Sequence, residues 1–392
     1  MTTRRLGVFG TLAALVTAMV WESLPVAAQG TGAPPLVITA FGGQPVEYRA
    51  PRTPWGDPDL QGVWSSDDMS NIPMSRAQQY GDRLYLDEKE FAERQSQIQR
   101  GVQQSETNAD STFRFDFARR AFRQTSLVVD PADGRVPAVK PGVRVMPRGT
   151  FGNGPLDWVT DFSGYERCIT RGIAGSVLRV IYGNGNRIVQ APGMVALSYE
   201  MLHDTRLFYM DGRPHVGSPL RMYLGDSRAR WDGEDLVVET TNLTNQTAVG
   251  VNGGGPRHSE QMKITERFRR VAENILQYQM TFDDPATYER PFTLSFPLTP
   301  LDGGKLLPYD CHEGNTAISQ ALSAERFEDR ALAADLAKGI KRERRGVQDG
   351  AGVGAALPPG RGRGAGAGRG GAGRGAGPGA GPAAVPEGDQ ER

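Results

Sequence analysis

Asp310, Cys311, His312 and Glu313 stand side by side within residues 307–315, LPYDCHEGN. A thiol, an imidazole and two carboxylates can ligate a metal, attack a carbonyl or pass a proton. The chain has four histidines, His203, His215, His258 and His312, and imidazole is the commonest transition-metal ligand. Their spacing argues the other way. There is no HExxH helix pair and no Cys-x-x-Cys pair, and the histidines fall on separate elements, so no metal ligands are assigned. A nucleophile elbow, a dinucleotide fingerprint and a phosphate loop are also missing, which counts against a serine hydrolase, a dehydrogenase or a kinase. No cofactor class can be named.

The pleat of a strand says more, because successive side chains point to opposite faces. In VALSYEMLH the alternation puts Val195, Leu197, Tyr199, Met201 and His203 on the more apolar face. His203 is therefore expected to end an inward row beside Tyr199. In MKITERF, Met262, Ile264, Glu266 and Phe268 share a face, which turns Glu266 inward among apolar neighbours. A carboxylate placed there is either paired with an inward cation, Arg206 or Arg221, or holds a proton near neutral pH and works as a general acid or base. Arg213 and His215 in DGRPH sit at a turn, where the mouth of a barrel would lie.

Compartment narrows the cysteine chemistry. Residues 1–28 read as a secretory signal peptide: Arg4 and Arg5, an apolar run from Leu6 to Val20, and small residues at Val26 and Ala28 before the cleavage site. The run is short for a membrane span and no second one follows, so no span is expected after cleavage. The expected location is the periplasm or the exterior. Two cysteines far apart in an exported chain, Cys168 and Cys311, are read as one disulfide, the alternative being two free thiols. Forty-five basic and forty-five acidic residues give a formal charge of zero, and no nucleic-acid partner is expected.

The elements that position these residues follow from patterning. Residues 29–54 are Pro- and Gly-rich and are expected to be flexible. Residues 55–345 form a single β-barrel domain, and residues 346–392, almost wholly Gly, Ala, Arg and Pro, are expected to be disordered. A surface helix is predicted over residues 87–100, opened by Asp87 with Glu90 as a capping box. A second helix is predicted over residues 316–345, capped by Asn315 or Thr316. Between the helices, short runs rich in Val, Ile, Tyr and Leu alternate with turn clusters. TSLVVDPADGRVPAV reads as a hairpin, and a strand is expected at residues 308–312. A meander of this length eliminates its edges by closing into a barrel, so the fold class is mainly β, an antiparallel meander closed as a barrel with flanking helices.

Gly62, Val63 and Trp64 at the start of the first strand resemble the Gly-x-Trp signature of the lipocalin and calycin group, whose Trp closes one barrel end. A second resemblance runs over residues 53–324. TPWGDPDLQGVW, ERCITRG, DGRPH and CHEGN are similar to a widespread family of exported proteins from environmental bacteria. It implies export and carries no reaction with it. The Gly-rich stretch VGVNGGGPRHSE and the C-terminal tail depart from that family's pattern.

The expected function is the binding of a small, partly apolar molecule inside the barrel, its polar end fixed by Tyr199, His203 and Glu266. Arg213, His215 and Asp310 are further ligand-binding candidates. The alternative is a hydrolase, lyase or isomerase on the same barrel, with His203 as base, Glu266 as acid or orienter and His312 as a third catalytic candidate. A third possibility is a cell-envelope structural protein that touches anionic polymers through its tail. Oligomeric state is not legible. Alternation over residues 308–312 turns Cys311 toward Cys168 and leaves Asp310 and His312 on the opposite face.

Overall fold

Runs of apolar side chains at period two become strands because one face of each can then be buried. A computed structural model describes residues 33–107, 118–146, 156–180 and 182–342. The expected signal peptide, residues 1–28, and the Gly-rich tail, residues 346–392, lie outside the described residues. The strands are β1 (Gly62–Ser65), β2 (Val128–Asp130), β3 (Val145–Met146), β4 (Gly185–Ala191), β5 (Met194–Tyr199) and β6 (Thr205–Tyr209). They continue as β7 (Asp226–Asp232), β8 (Asp235–Thr241), β9 (Gly255–Pro256), β10 (Lys263–Ala272), β11 (Ile275–Asp283) and β12 (Phe292–Pro300). The helices are α1 (Glu88–Thr107), α2 (Gly172–Val177) and α3 (Ala317–Ala337).

Nine strands run in the order β1-β4-β5-β6-β7-β8-β10-β11-β12, and β12 pairs back onto β1 through Trp64 and Pro300. The barrel is closed, as the meander predicted. It is mixed rather than purely antiparallel, because residues 210–225 cross between β6 and β7, which meet in parallel at Tyr209 and Arg228. Inward rows follow the pleat: Ile264, Glu266 and Phe268 on β10 are buried, as are Val195, Leu197 and Tyr199 on β5. Phe268 stacks on Tyr278 with ring centroids 4.2 Å apart, and Phe296 meets Tyr278 edge-on at 5.4 Å. Aromatic pairs of this geometry stabilise a core beyond the area they bury.

Trp64 of β1 is buried in the core, on the strand where the barrel closes onto β12. Its indole N–H donates to the Leu60 carbonyl at 3.0 Å, and the Arg270 guanidinium lies 5.6 Å from the ring centroid. Gly62 has φ +147°, and a Cβ there would stand 3.2 Å from Trp64 Nε1, so the glycine makes room for the indole.

Several local expectations are corrected. Residues 33–54 are not a loose lead-in: Gln279 Oε1 accepts from the Val37 N–H at 2.8 Å and Gln277 Oε1 from the Thr39 N–H at 3.1 Å. These bonds lay the segment over the outer face of β11 and β12, which is why both faces of those strands are buried. The stretch after Asp130 does not fold back as a hairpin, since β2 pairs with β12 instead. Val177 ends α2, and residues 178–180 continue as loop. No strand forms at residues 308–312, where the chain turns.

Helix α1 carries the expected capping box: the Glu90 N–H donates to Asp87 Oδ1 and the Asp87 N–H to Glu90 Oε2, both at 2.9 Å. Helix α3 starts where expected but stops at Ala337, short of residue 345. Gly339, at φ +77°, takes the left-handed conformation that ends a helix, and the Ile340 N–H folds back to the Asp335 carbonyl at 2.9 Å. The Gly-rich stretch around residue 252 is part of the packed structure. A Cβ on Gly175 of α2 would lie 2.4 Å from Gly253 N, so two backbones touch where only glycine fits.

Candidate functional site

The turn joining β5 to β6 organises the site. The inward row stops at Tyr199, because Leu202 and His203 adopt φ of +62° and +54° and swing the chain off the pleat. His203 is therefore exposed at the barrel end and does not continue the row, which corrects the expectation drawn from VALSYEMLH. Three neighbours in this turn grip two distant segments. Glu200 accepts from the Gly185 N–H at 2.9 Å and from the Leu307 N–H at 3.0 Å. His203 Nε2 accepts from the Tyr309 N–H at 3.0 Å, which puts the ring proton on Nδ1. Asp204 accepts from the Thr170 hydroxyl at 2.6 Å, and burial raises its pKa above the ordinary aspartate value.

The two gripped segments, ERCITRG and LPYDCHEGN, are then joined to each other. Cys168 and Cys311 form a disulfide with Cα atoms 5.7 Å apart. Tyr165 and Tyr309 share a hydrogen bond between hydroxyls at 3.2 Å, and Asn315 Nδ2 donates to Cys168 Sγ at 3.3 Å. Between the segments and the start of α3 lies a groove of about 290 Å³, near the lower end of the range for small-molecule pockets. Phe162, Tyr165, Tyr309 and Ile318 give it aromatic and aliphatic walls, and Glu166 and Asp310 are its charged lining groups. Glu166 accepts from the Ser163 N–H at 2.9 Å and hydroxyl at 3.0 Å. Burial and the bond to Tyr309 push the Tyr165 hydroxyl far above the usual phenol pKa, so it stays protonated.

Behind Tyr165 stands Arg171, fully buried, its guanidinium 6.0 Å from the ring centroid. Nη2 donates to the Leu178 carbonyl at 3.3 Å, while Nε and Nη1 find no hydrogen-bond partner among the described residues. Burial lowers its pKa to about 10.

The barrel interior holds a separate polar cluster. Arg206 Nη1 donates to Glu266 Oε1 at 2.8 Å and to the Tyr199 hydroxyl at 3.3 Å, and Nη2 donates to Thr240 at 2.9 Å and Ser227 at 3.1 Å. The other Glu266 oxygen takes a second bond from Arg206, and the Tyr278 hydroxyl donates to Oε1. Burial alone would lower the Arg206 pKa, but the Glu266 carboxylate raises it well above the ordinary value, so the guanidinium stays charged. Burial also pushes the Tyr199 hydroxyl up to about 12. Of the two arginines named from sequence, Arg206 is the partner; Arg221 instead pairs with Glu260 near the surface.

The sequence candidates thus divide by place. Asp310 and Cys311 of the disulfide line the groove and His203 bonds the backbone of Tyr309 beside it, whereas Tyr199 and Glu266 meet in the interior. No hydrogen bond joins His203 to Glu266 among the described residues. Arg213 pairs with Asp211 and lies 5.3 Å from the Tyr209 ring centroid. His215 Nδ1 lies 2.9 Å from Asp226 and Nε2 lies 3.5 Å from Glu239, on opposite sides of the ring. His312 is exposed, and its side chain makes no hydrogen bond among the described residues. No three His, Cys, Asp or Glu side chains converge as metal ligands among the described residues. Tyr165, Glu166, Glu200, Asp204 and Tyr309 were not picked out from sequence, although each lies in or beside a motif that was.

The fold and site define a closed mixed β-barrel carrying a disulfide-pinned groove at one end. Family models, curated proteins and solved structures were compared with the chain, and none matches it. No helix among the described residues is long and apolar enough to cross a membrane.

Proposed function

We propose that this is an exported protein that binds a small, partly apolar molecule, and that the molecule sits in the groove beside the disulfide rather than within the barrel. The observation that carries the reading is the 290 Å³ groove, whose walls come from two segments tied covalently by Cys168–Cys311. A cleft held open in this way loses little conformational freedom on binding. In the interior, by contrast, both oxygens of the fully buried Glu266 are engaged, and a ligand there would have to displace Arg206. The signal-like leader and a disulfide suited to an oxidising compartment support export.

Binding is favoured over turnover because the groove offers two carboxylates and two mutually bonded phenols, with its only sulfur locked in a disulfide. None of these is a nucleophile held on a general base. The test is a ligand-observed NMR screen of the oxidised full-length protein with fragment-sized molecules, repeated on Ala321→Trp, which fills the groove from α3. Binding that disappears in the variant supports the reading. Binding that persists unchanged, or a screen with no binders, refutes it.

A further inference from the structure

We propose that the groove recognises an organic cation, an amine or quaternary ammonium group bearing a short apolar tail. This rests on the reading of the groove as the ligand site and adds the chemical class of the ligand.

The charged groups lining the groove, Glu166 and Asp310, are both carboxylates, and no Lys, Arg or His side chain lines it among the described residues. Asp310 is exposed and accepts no hydrogen bond among the described residues, so its charge is available to an incoming group. Three aromatic side chains, Phe162, Tyr165 and Tyr309, share the lining with them. The negative face of an aromatic ring attracts a cation, and rings beside a carboxylate form the usual setting for an ammonium head. The two phenols are bonded to each other, and burial raises the pKa of Tyr165, so the Tyr165 ring remains a neutral aromatic surface. Ala317, Ile318 and Ala321 of α3 offer an apolar side where a short hydrocarbon tail can lie.

An anion would meet the like charge of the exposed Asp310 on entering. Arg171 is fully buried behind Tyr165 and out of a ligand's reach. A neutral apolar ligand would gain the Ile318 side and leave the carboxylates unused. Charge and shape together therefore favour an amphipathic cation over either alternative.

The experiment compares three probes of nearly equal shape on the oxidised full-length protein at low salt: choline, the neutral isostere 3,3-dimethylbutan-1-ol, and the anion 3,3-dimethylbutanoate. Choline is expected to bind at least tenfold tighter than either, with affinity falling as salt is added. Asp310→Asn, an exposed change whose fold is checked by circular dichroism, should weaken choline about fivefold and leave the isostere unchanged. If the isostere or the anion equals choline and still loses its binding in Ala321→Trp, the cation class is wrong and the groove remains the ligand site. If no probe binds and the fragment screen also finds nothing sensitive to Ala321→Trp, both readings fall.

Discussion

Replacing Glu266 by Leu strands a guanidinium at the centre of the barrel, and the structure allows the cost to be worked out. Arg206 is 3 % exposed and Glu266 0 % exposed, so water cannot replace the lost partner. Of the five hydrogen bonds that Arg206 donates, two go to Glu266 and the other three to hydroxyls, which carry no countercharge. Removing one member of a buried pair costs about 3–5 kcal/mol, a large share of the ~5–15 kcal/mol that holds a typical domain together. In Arg206→Met/Glu266→Leu neither charge remains. Ser227 and Thr240 keep their mutual 2.9 Å bond, and the Tyr199 and Tyr278 hydroxyls lose their partners. The double variant should therefore be more stable than Glu266→Leu by about 2 kcal/mol, even though it carries one more substitution. Urea unfolding followed by far-ultraviolet circular dichroism, with the disulfide intact, measures both differences, and an unchanged m-value shows that the same surface unfolds. Glu266→Leu lying within about 1 kcal/mol of the wild type, or free energies that simply add, would refute the ion-pair reasoning. A Glu266 whose role is acid/base chemistry predicts the opposite pattern, with Glu266→Gln losing turnover while stability is nearly unchanged.

Other predictions concern the ends of the barrel. The disulfide spans 143 residues, for which the loop-entropy relation gives about 5 kcal/mol, so Cys168→Ser/Cys311→Ser should lower the urea midpoint sharply and abolish probe binding in the groove. Gly175→Ala forces a Cβ to 2.4 Å from Gly253 N and should destabilise the protein by about 1–3 kcal/mol, read as a lowered Tm. Asp87→Ala removes half of the capping box and should cost about 1 kcal/mol in the same assay. Burial lowers the pKa of His258, so the folded state holds the ring neutral while the unfolded chain protonates below its ordinary value of about 6.5. The resulting stability is present above that pH and is lost as pH falls below it. His258→Gln should therefore flatten the decline in unfolding free energy between about pH 7 and pH 5, and an unaltered slope would count against the assignment.

What the sequence determined by itself was local. The inward placement of Glu266 follows from period-two alternation in MKITERF, the capping box from Asp87 and Glu90 three residues apart, and closure of the sheet from the need of a long meander to lose its edges. The Cys168–Cys311 bridge was legible because a chain whose leader reads as an export signal, and which has two cysteines, has one pairing available. Tertiary structure decided everything that depends on which distant segments meet. Arg206 rather than Arg221 faces Glu266, because the crossover before β7 places Arg221 outside the barrel. His203 leaves the inward row because Leu202 and His203 take positive φ, and EMLHD does not announce such a turn: it holds no glycine, and although histidine is among the residues enriched at positive φ, leucine is not. The groove itself could not be read in advance. Its walls lie more than 140 residues apart, and they converge only because three side chains in one turn, Glu200, His203 and Asp204, hold both. Patterning along a chain reports what each residue's own strand or helix needs, and convergence of two distant segments on one turn leaves no periodic trace in either of them.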